Sequence, residues 1–426
     1  MDTPPSAQTV YIARQPIFDA GNRRVAYELL YRANAHAKDA GEITQDVMFS
    51  DTALHAVVSI GLDRLTGGAI AFVNVTREHL ISDLYKIFDP STIVLELLET
   101  IDGDAEVIEA CKRATAAGYT LALDDYDGRA SLDALLPLVK IVKLDVLGSN
   151  AETLAPIVHR LRQHQVTILA EKIETGAMRA LCQHLGCDLF QGYVFSRPET
   201  LDGRAITLQQ TTMINIMGLL GDTTISDQTL DDAFRSHPSL AFALLRIVNS
   251  ASFGARSVES IGHAIRLIGR DALSRWLLVM LVASVATHSP VASEAVIQAM
   301  TRGRFCELLA VRTACGDPGA RFLVGLLSCI DALLGQPMER VLERLPVSAD
   351  VRDALLHGVG PHAAVLSLVK EYEVGDWDRV DAQLGALSND SAALAAIYAD
   401  AALWATERLT STATASSASE RSTAVR

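Results

Sequence analysis

Glu28, Asn74, Glu96, Asp124, Asp125, Lys143 and Glu171 are the residues in this sequence best suited to chemistry on a phosphate ester. The five carboxylates and one amide are hard oxygen ligands with no thiolate or imidazole among them, a set that suits Mg²⁺ or Mn²⁺ better than zinc. Two such ions about 4 Å apart, with Asp124 between them, would activate water for in-line attack on a phosphodiester. Lys143 would stabilise the developing charge or orient the water. Glu171 is the candidate general base, and Arg32, four residues after Glu28, is a candidate clamp on a substrate phosphate. Taken singly, each acidic residue reads as well as a helix cap or a rim ion-pair partner. The ordered set does not.

The order comes from the elements that carry these residues. Short apolar runs at 27–30, 69–74, 93–96, 119–124, 141–143, 166–171 and 189–191 alternate with amphipathic helical stretches. That alternation predicts parallel strands joined by helical crossovers, and runs this apolar suit strands buried on both faces. The fold class expected for residues 9–200 is therefore a TIM-like (β/α) barrel, whose mouth collects the polar residues in or at the ends of the runs, Gln191 included. From about Ile206 apolar residues recur at helical spacing, at 239–248, 261–267, 273–285 and 322–334, which predicts an all-α domain over 206–396. Pro and Gly within 197–204 mark the seam. Residues 1–8 are expected to be flexible, and the Ser/Thr/Ala-rich stretch 410–426 to be disordered.

Composition narrows the function further. Across 426 residues, 37 Lys+Arg against 51 Asp+Glu leave a net charge of −14, which disfavours a protein built to neutralise a nucleic-acid polymer. The start lacks a basic and apolar leader, and the longest apolar stretch, 276–286, is far short of the ~20 residues a bilayer needs. A cytoplasmic protein without a membrane partner is expected. Six cysteines are too sparse for a disulfide framework, and the tightest group, Cys182, His184 and Cys187, lacks further ligands at zinc spacing and reads as ordinary packing.

Residues 9–200 resemble the EAL domain, a family of barrel phosphodiesterases acting on the bacterial second messenger cyclic di-GMP. The family's Glu-Ala-Leu-x-Arg signature stands here as Glu28-Leu29-Leu30-Tyr31-Arg32, its Glu-Leu-x-Glu as Glu96-Leu97-Leu98-Glu99, and its metal-ligand Asn as Asn74. Its Asp-Asp pair is Asp124-Asp125, its Lys-x-Asp is Lys143-Leu144-Asp145, its Ala-Glu-x-x-Glu-Thr spans 170–175, and its Gln-Gly-Tyr is Gln191-Gly192-Tyr193. The resemblance implies metal ligation by Glu28, Asn74, Glu96, Asp124 and Asp125, catalysis through Glu171 and Lys143, and Mg²⁺ or Mn²⁺ as cofactor in an active member. It further implies substrate contacts at Leu30, Arg32 and Gln191, and loop support from Glu99 and Glu174. Three departures carry expectations. Leu29 replaces the signature Ala and should narrow the mouth; the loop Tyr126-Asp127-Gly128-Arg129 differs from the family's Phe-Gly-Thr-Gly and is slightly short, which casts doubt on turnover; and Lys172 replaces a Gly and should favour the charged form of Glu171.

Residues 206–396 resemble the HDOD domain, a helical signalling module related to HD-type phosphohydrolases. The match rests on 244–254, which ends in Asn249-Ser250-Ala251-Ser252-Phe253-Gly254, on 260–269, and on 322–343, with Gly375-Asp376-Trp377 beyond. No His-Asp dipeptide occurs, and His237, His263, His288, His357 and His362 are scattered, so this half is expected not to be catalytic. Together the halves imply a bacterial cyclic di-GMP signalling protein. The expected form is a degenerate barrel that senses the nucleotide or docks a protein, with output to a protein partner through the helical half and a homodimer as a further option. The alternative is an active phosphodiesterase that linearises cyclic di-GMP by a two-metal mechanism.

Overall fold

Eight strands are hydrogen-bonded in chain order into a closed barrel: β1 (Thr9–Asp19), β2 (Arg24–Asn34), β3 (Ile70–Val75), β4 (Ile93–Leu97), β5 (Thr120–Leu123), β6 (Ile141–Asp145), β7 (Thr167–Glu171) and β8 (Leu189–Phe190). This computed structural model describes residues 9–34, 57–192 apart from 59, and 208–423 apart from 223, 238–239, 242–243, 246–247, 249–260, 287–289, 314–315, 335, 344, 346 and 388–393. Residues 1–8, the seam at 197–204 and the turn at 249–254 lie outside the described residues.

β2 to β8 run parallel and fall on the seven predicted runs. β1 corrects the all-parallel expectation: it pairs antiparallel with both β2 and β8. A strand that turns straight back on its successor needs only a tight turn and no crossover helix, so it leaves no strand-then-helix signature to read. Here the turn is at Ala20–Arg23, with Asn22 at φ 62°.

Outside the barrel lie α1 (Leu62–Thr66), α2 (Arg77–Ile81), α3 (Ala105–Ala116), α4 (Ala130–Asp133), α5 (Ala151–Gln163) and α6 (Gly176–Leu185). Polar caps start them where strands end. Asp104 accepts from the amides of Glu106 and Val107, Asn150 and Thr153 form a reciprocal box, and Thr175 accepts from Met178. Cys182 and Cys187 are buried free thiols while His184 is exposed, in keeping with packing and not ligation.

Inside the barrel the period of two sorts the side chains into layers. Ile17, Ala26, Phe72, Val94, Ala122 and Leu169 form an apolar floor. One inward position nearer the mouth, in or just past β2 to β8, come Glu28, Asn74, Glu96, Asp124, Lys143, Glu171 and Gln191. Leu29 is the residue between: it is fully buried in the core outside the barrel and cannot narrow the mouth, contrary to expectation.

The helical half comprises α7 (Leu208–Gly221), α8 (Asp227–Arg235), α9 (Ile261–Ile268), α10 (Arg270–Ala286), α11 (Pro290–Thr313), α12 (Pro318–Leu327), α13 (Ile330–Leu334), α14 (Met338–Glu343), α15 (Ala349–Leu356), α16 (Ala363–Val374), α17 (Trp377–Leu387) and α18 (Leu394–Thr423). Its own core gathers Leu230, Phe234, Leu277, Leu281, Val296 and Leu326. The helical stretch at 322–334 is split after Leu327, where the Ser328 hydroxyl donates to the carbonyl of Gly325 and accepts from Arg302. α18 runs to Thr423, so most of the stretch expected to be disordered is helical. Adding residues to an existing helix costs no new nucleus, and Ala is the best helix former. Among the described residues no helix is long and apolar enough to cross a membrane.

The two halves share a core. Tyr11 and Ala13 of β1 pack with Phe305, Tyr372, Trp377 and Tyr398, while Ala395 and Ala399 of α18 enter the barrel's outer core. Tyr11 stacks on Trp377 at 5.4 Å, and the Tyr372 hydroxyl donates to the Ile12 carbonyl and accepts from its amide, both at 3.1 Å. Nearby, the Tyr27 hydroxyl donates to Glu294 at 2.7 Å.

Candidate active site

Lys143 is the centre of the mouth. Projecting from β6 and 1% exposed, its ammonium lies 2.7 Å from Glu171, 3.0 Å from Asp124 and 3.3 Å from Glu28, and it contacts Glu96. One cation among four carboxylates leaves the cluster strongly anionic. Burial acts against the charge on Lys143, but Glu171 and Glu28 outweigh it and hold its pKa above the ordinary value. The pKa values of Asp124, Asp125 and Glu171 rise as well, which disfavours their charged forms. Burial first, then repulsion from Glu171 and Glu28, keeps the Asp124 carboxyl protonated well above its usual range, and burial first raises Asp125 as well. Glu171 is pushed up to about 7 by burial, with the neighbouring Glu28 adding to the effect and Lys143 opposing it.

Two groupings of carboxylate oxygens stand ready for hard cations. Glu28, Glu96 and Glu171 bring three oxygens within 4.8 Å of one another, and Asp124, Asp125 and Glu171 do the same. Glu171 belongs to both. Beside them, Asn74 Oδ1, the second oxygen of Glu96, Asp125 Oδ1 and Gln191 Oε1 are buried acceptors with no hydrogen-bond partner. Asn74 sits directly across from Glu96 in the β3–β4 register. An excess of unpaired buried oxygens around a single ammonium is the donor set that Mg²⁺ or Mn²⁺ completes, so the residues fit the cofactor their types suggest.

The backbone is shaped to this end. Asp125 (φ 39°) and Lys172 (φ 55°) both take the left-handed conformation that non-glycine residues avoid, each directly after a mouth carboxylate. Gly192 has φ 149°, and a Cβ there would lie 2.2 Å from the Ile173 amide nitrogen. That close approach lets the Gln191 carbonyl accept from Ile173 while its side-chain amide donates to Glu28 at 2.7 Å and Gln15 at 3.0 Å.

One expectation needs correcting, and the other predicted residues find their places. Lys172 lines the cavity and pairs with Asp145 at 2.6 Å, and burial raises the pKa of Glu171, so that it does not fall. The loop after Asp125 is well anchored: the Tyr126 amide bonds the Lys143 carbonyl, its hydroxyl donates to Asp133 at 2.6 Å, and Arg129 donates to the Glu99 carbonyl at 3.0 Å. Leu30, Gln191 and the exposed Glu174 line the mouth, and Glu99, expected to support the loop, takes the Arg129 contact outside the lining. Arg32 is outside it too: its guanidinium is buried and pairs with Asp378 of α17 at 2.6 Å.

The cavity of about 750 Å³ above the carboxylates has an outer wall from the helical half, with Gln298, Arg302, Lys370 and Glu373 among its residues. Arg302 is held by Glu373 through contacts of 2.5–3.1 Å. These residues were not foreseen, because no local pattern in a helical sequence says which surface will meet a barrel. Gln15 also escaped notice. It stands opposite Glu28 on the antiparallel strand and two residues from Ile17 of the floor, an alternation legible only once β1 is recognised as a strand.

Known proteins share this organisation. The EAL domain model matches residues 73–198 and the HDOD domain model residues 206–345. Protein YuxH of Bacillus subtilis is 31% identical over 380 residues, covering 87% of this chain and 92% of its own. The cyclic di-GMP phosphodiesterase CdgJ of Vibrio cholerae is 29% identical over 382 residues, covering 88% and 87%. Among solved structures, a calcium and cyclic di-GMP complex of Klebsiella pneumoniae BlrP1 is 22% identical with a TM-score of 0.37, covering 46% of this chain and 58% of that one.

Proposed function

Since the chain belongs to the family of proteins in which an EAL barrel is followed by an HDOD domain, we propose that its mouth binds cyclic di-GMP and hydrolyses it to the linear dinucleotide with two divalent cations. The observation that carries this reading is Glu171 as a member of both carboxylate groupings. A shared carboxylate would hold two ions at the separation needed for in-line displacement. In this reading Glu28, Asn74 and Glu96 complete one ion's ligands and Asp124 and Asp125 the other's. When bound, the pair would supply an activated water and neutralise the phosphate. Glu171, first read as a general base, is better assigned as the shared ligand. Lys143 balances the remaining carboxylates and faces the phosphate as negative charge develops on it. Gln191 fixes the orientation of Glu28, and Leu30 gives the base an apolar surface.

A second reading is favoured by one specific contact, the Arg32–Asp378 pair. If the helical half keeps Arg32 from the ligand, the barrel could bind nucleotide without turnover and pass that state to a protein docked on the helical half, or to a second copy of the chain. Chromatography of cyclic di-GMP incubated with the full chain and Mg²⁺ or Mn²⁺ separates the two. The phosphodiesterase reading expects linear dinucleotide, lost with chelator and in Glu28→Ala. No product with either metal, alongside calorimetric binding of the nucleotide, would leave the sensor reading in its place.

A further inference from the structure

Besides β1, the helical half contacts β2, the strand that carries the signature residues. Gly375 packs so closely on Leu30 that a Cβ there would lie 3.0 Å from its Cδ1. Three residues on, Asp378 places its carboxylate 2.6 Å from Arg32. The two partners are buried very unequally: the Arg32 side chain is 6% exposed and that of Asp378 87%. Arg32 Nε, moreover, is buried without a hydrogen-bond partner. The guanidinium therefore presents a forked donor to an anion and receives only one oxygen of an acid that itself has no need of burial. The neighbouring contacts, Trp377 on Tyr11 and Tyr372 on the Ile12 backbone, already hold the interface.

From this we infer that Asp378 sets the affinity of the mouth for its anionic ligand by holding Arg32 outside the mouth lining, so that a ligand phosphate must compete with its carboxylate for the guanidinium. The inference rests on the proposed cyclic di-GMP site and adds a residue from the other half of the chain to it. A carboxylate and a phosphate oxygen are alternative partners for the same fork, and a bidentate phosphate is the better one. Because Asp378 is largely in water, its hold on Arg32 is weak enough to be displaced. A ligand that must first displace it binds with an affinity reduced by the fraction of chains in which Arg32 is occupied.

The test is equilibrium binding of cyclic di-GMP to the full chain in Ca²⁺, for wild type, Asp378→Ala, Arg32→Ala and the double variant, with hydrogen exchange across Trp377–Leu387 measured in parallel. Asp378→Ala should tighten binding about 3- to 10-fold with exchange in α17 unchanged, and the gain should vanish in the Arg32→Ala background. Unchanged affinity in Asp378→Ala, where Arg32→Ala weakens binding, overturns the competition and leaves the ligand site standing. Weaker binding with faster exchange makes Asp378 a structural contact and also overturns it. No binding by any of the four proteins removes the site reading itself, and the competition with it.

Discussion

The most exacting test of the mouth is its proton. Glu171 has an ordinary pKa of 4.5 in the unfolded chain and about 7 in the metal-free fold. A carboxyl whose pKa rises on folding binds its proton more tightly in the native state, so its stabilising contribution is complete below 4.5 and is lost as pH rises through about 7. At about 1.4 kcal/mol for each tenfold change, that contribution amounts to about 3 kcal/mol, or roughly 3–4 °C in Tm for 426 residues sharing a core. Asp124 shifts in the same direction, through burial first and the charge of Glu171 next, so its loss adds to that of Glu171. Glu171→Gln keeps the shape and cannot ionise. With chelator present, wild-type Tm should fall steeply between pH 5 and pH 8, while the variant's curve should be flatter and higher at pH 8. Mg²⁺ should restore the wild type at pH 8 far more than at pH 5, because the ion needs the deprotonated form. Parallel pH profiles for the two proteins would refute the claim that a crowded, buried Glu171 underlies the site.

Three other substitutions probe different parts of the molecule. Lys143→Ala leaves Glu28, Glu96, Asp124 and Glu171 without their shared cation and should cost about 3–5 kcal/mol in chelator by chemical denaturation, much of it recovered by Mg²⁺. Gly192→Ala forces a Cβ onto the Ile173 backbone, and should lower cyclic di-GMP affinity at least about tenfold, read by calorimetry, as Gln191 is displaced from Glu28. Trp377→Ala removes the ring stacked on Tyr11 and should cost about 3–5 kcal/mol, with faster hydrogen exchange concentrated in β1 and α16 and little change in β5–β7.

What the sequence made legible follows from how local each signal is. The parallel strands each combine an apolar run with a polar residue at a fixed offset, so the sequence alone places Asn74, Glu96, Lys143 and Glu171 at one mouth. It places Glu28 there too, although that residue's strand pairs on one side with a neighbour that carries no such signal. The position of Leu29 could have been read from the same alternation, since a residue adjacent to an inward Glu must face outward. The pairing of Lys172 with Asp145 could not be read, because Lys172 sits in the left-handed backbone region. The outer wall was the least legible. Arg302 and Glu373 are 71 residues apart, and each looks like a solvated charge on a helix until packing buries them as a pair.

β1 explains why the barrel and the helical half must be considered together. Its inward side chains, at every second residue, do two jobs along one face. Tyr11 and Ala13 lie in the core shared with α16, α17 and α18, and the Ile12 backbone is gripped by Tyr372. Further along the same strand, Gln15 bonds Gln191, which in turn bonds Glu28. A shift of the helical half large enough to break the Tyr372 contacts would have to be absorbed by β1, and Gln15 is only three residues from Ile12 on an extended strand. Closed-barrel pairing to β2 and β8 leaves that strand little freedom to absorb it locally. Rearrangement at the interface and rearrangement at the mouth are thus mechanically tied, whichever of the two readings of the barrel is correct, and the HDOD half cannot be treated as a module merely tethered to an independent enzyme.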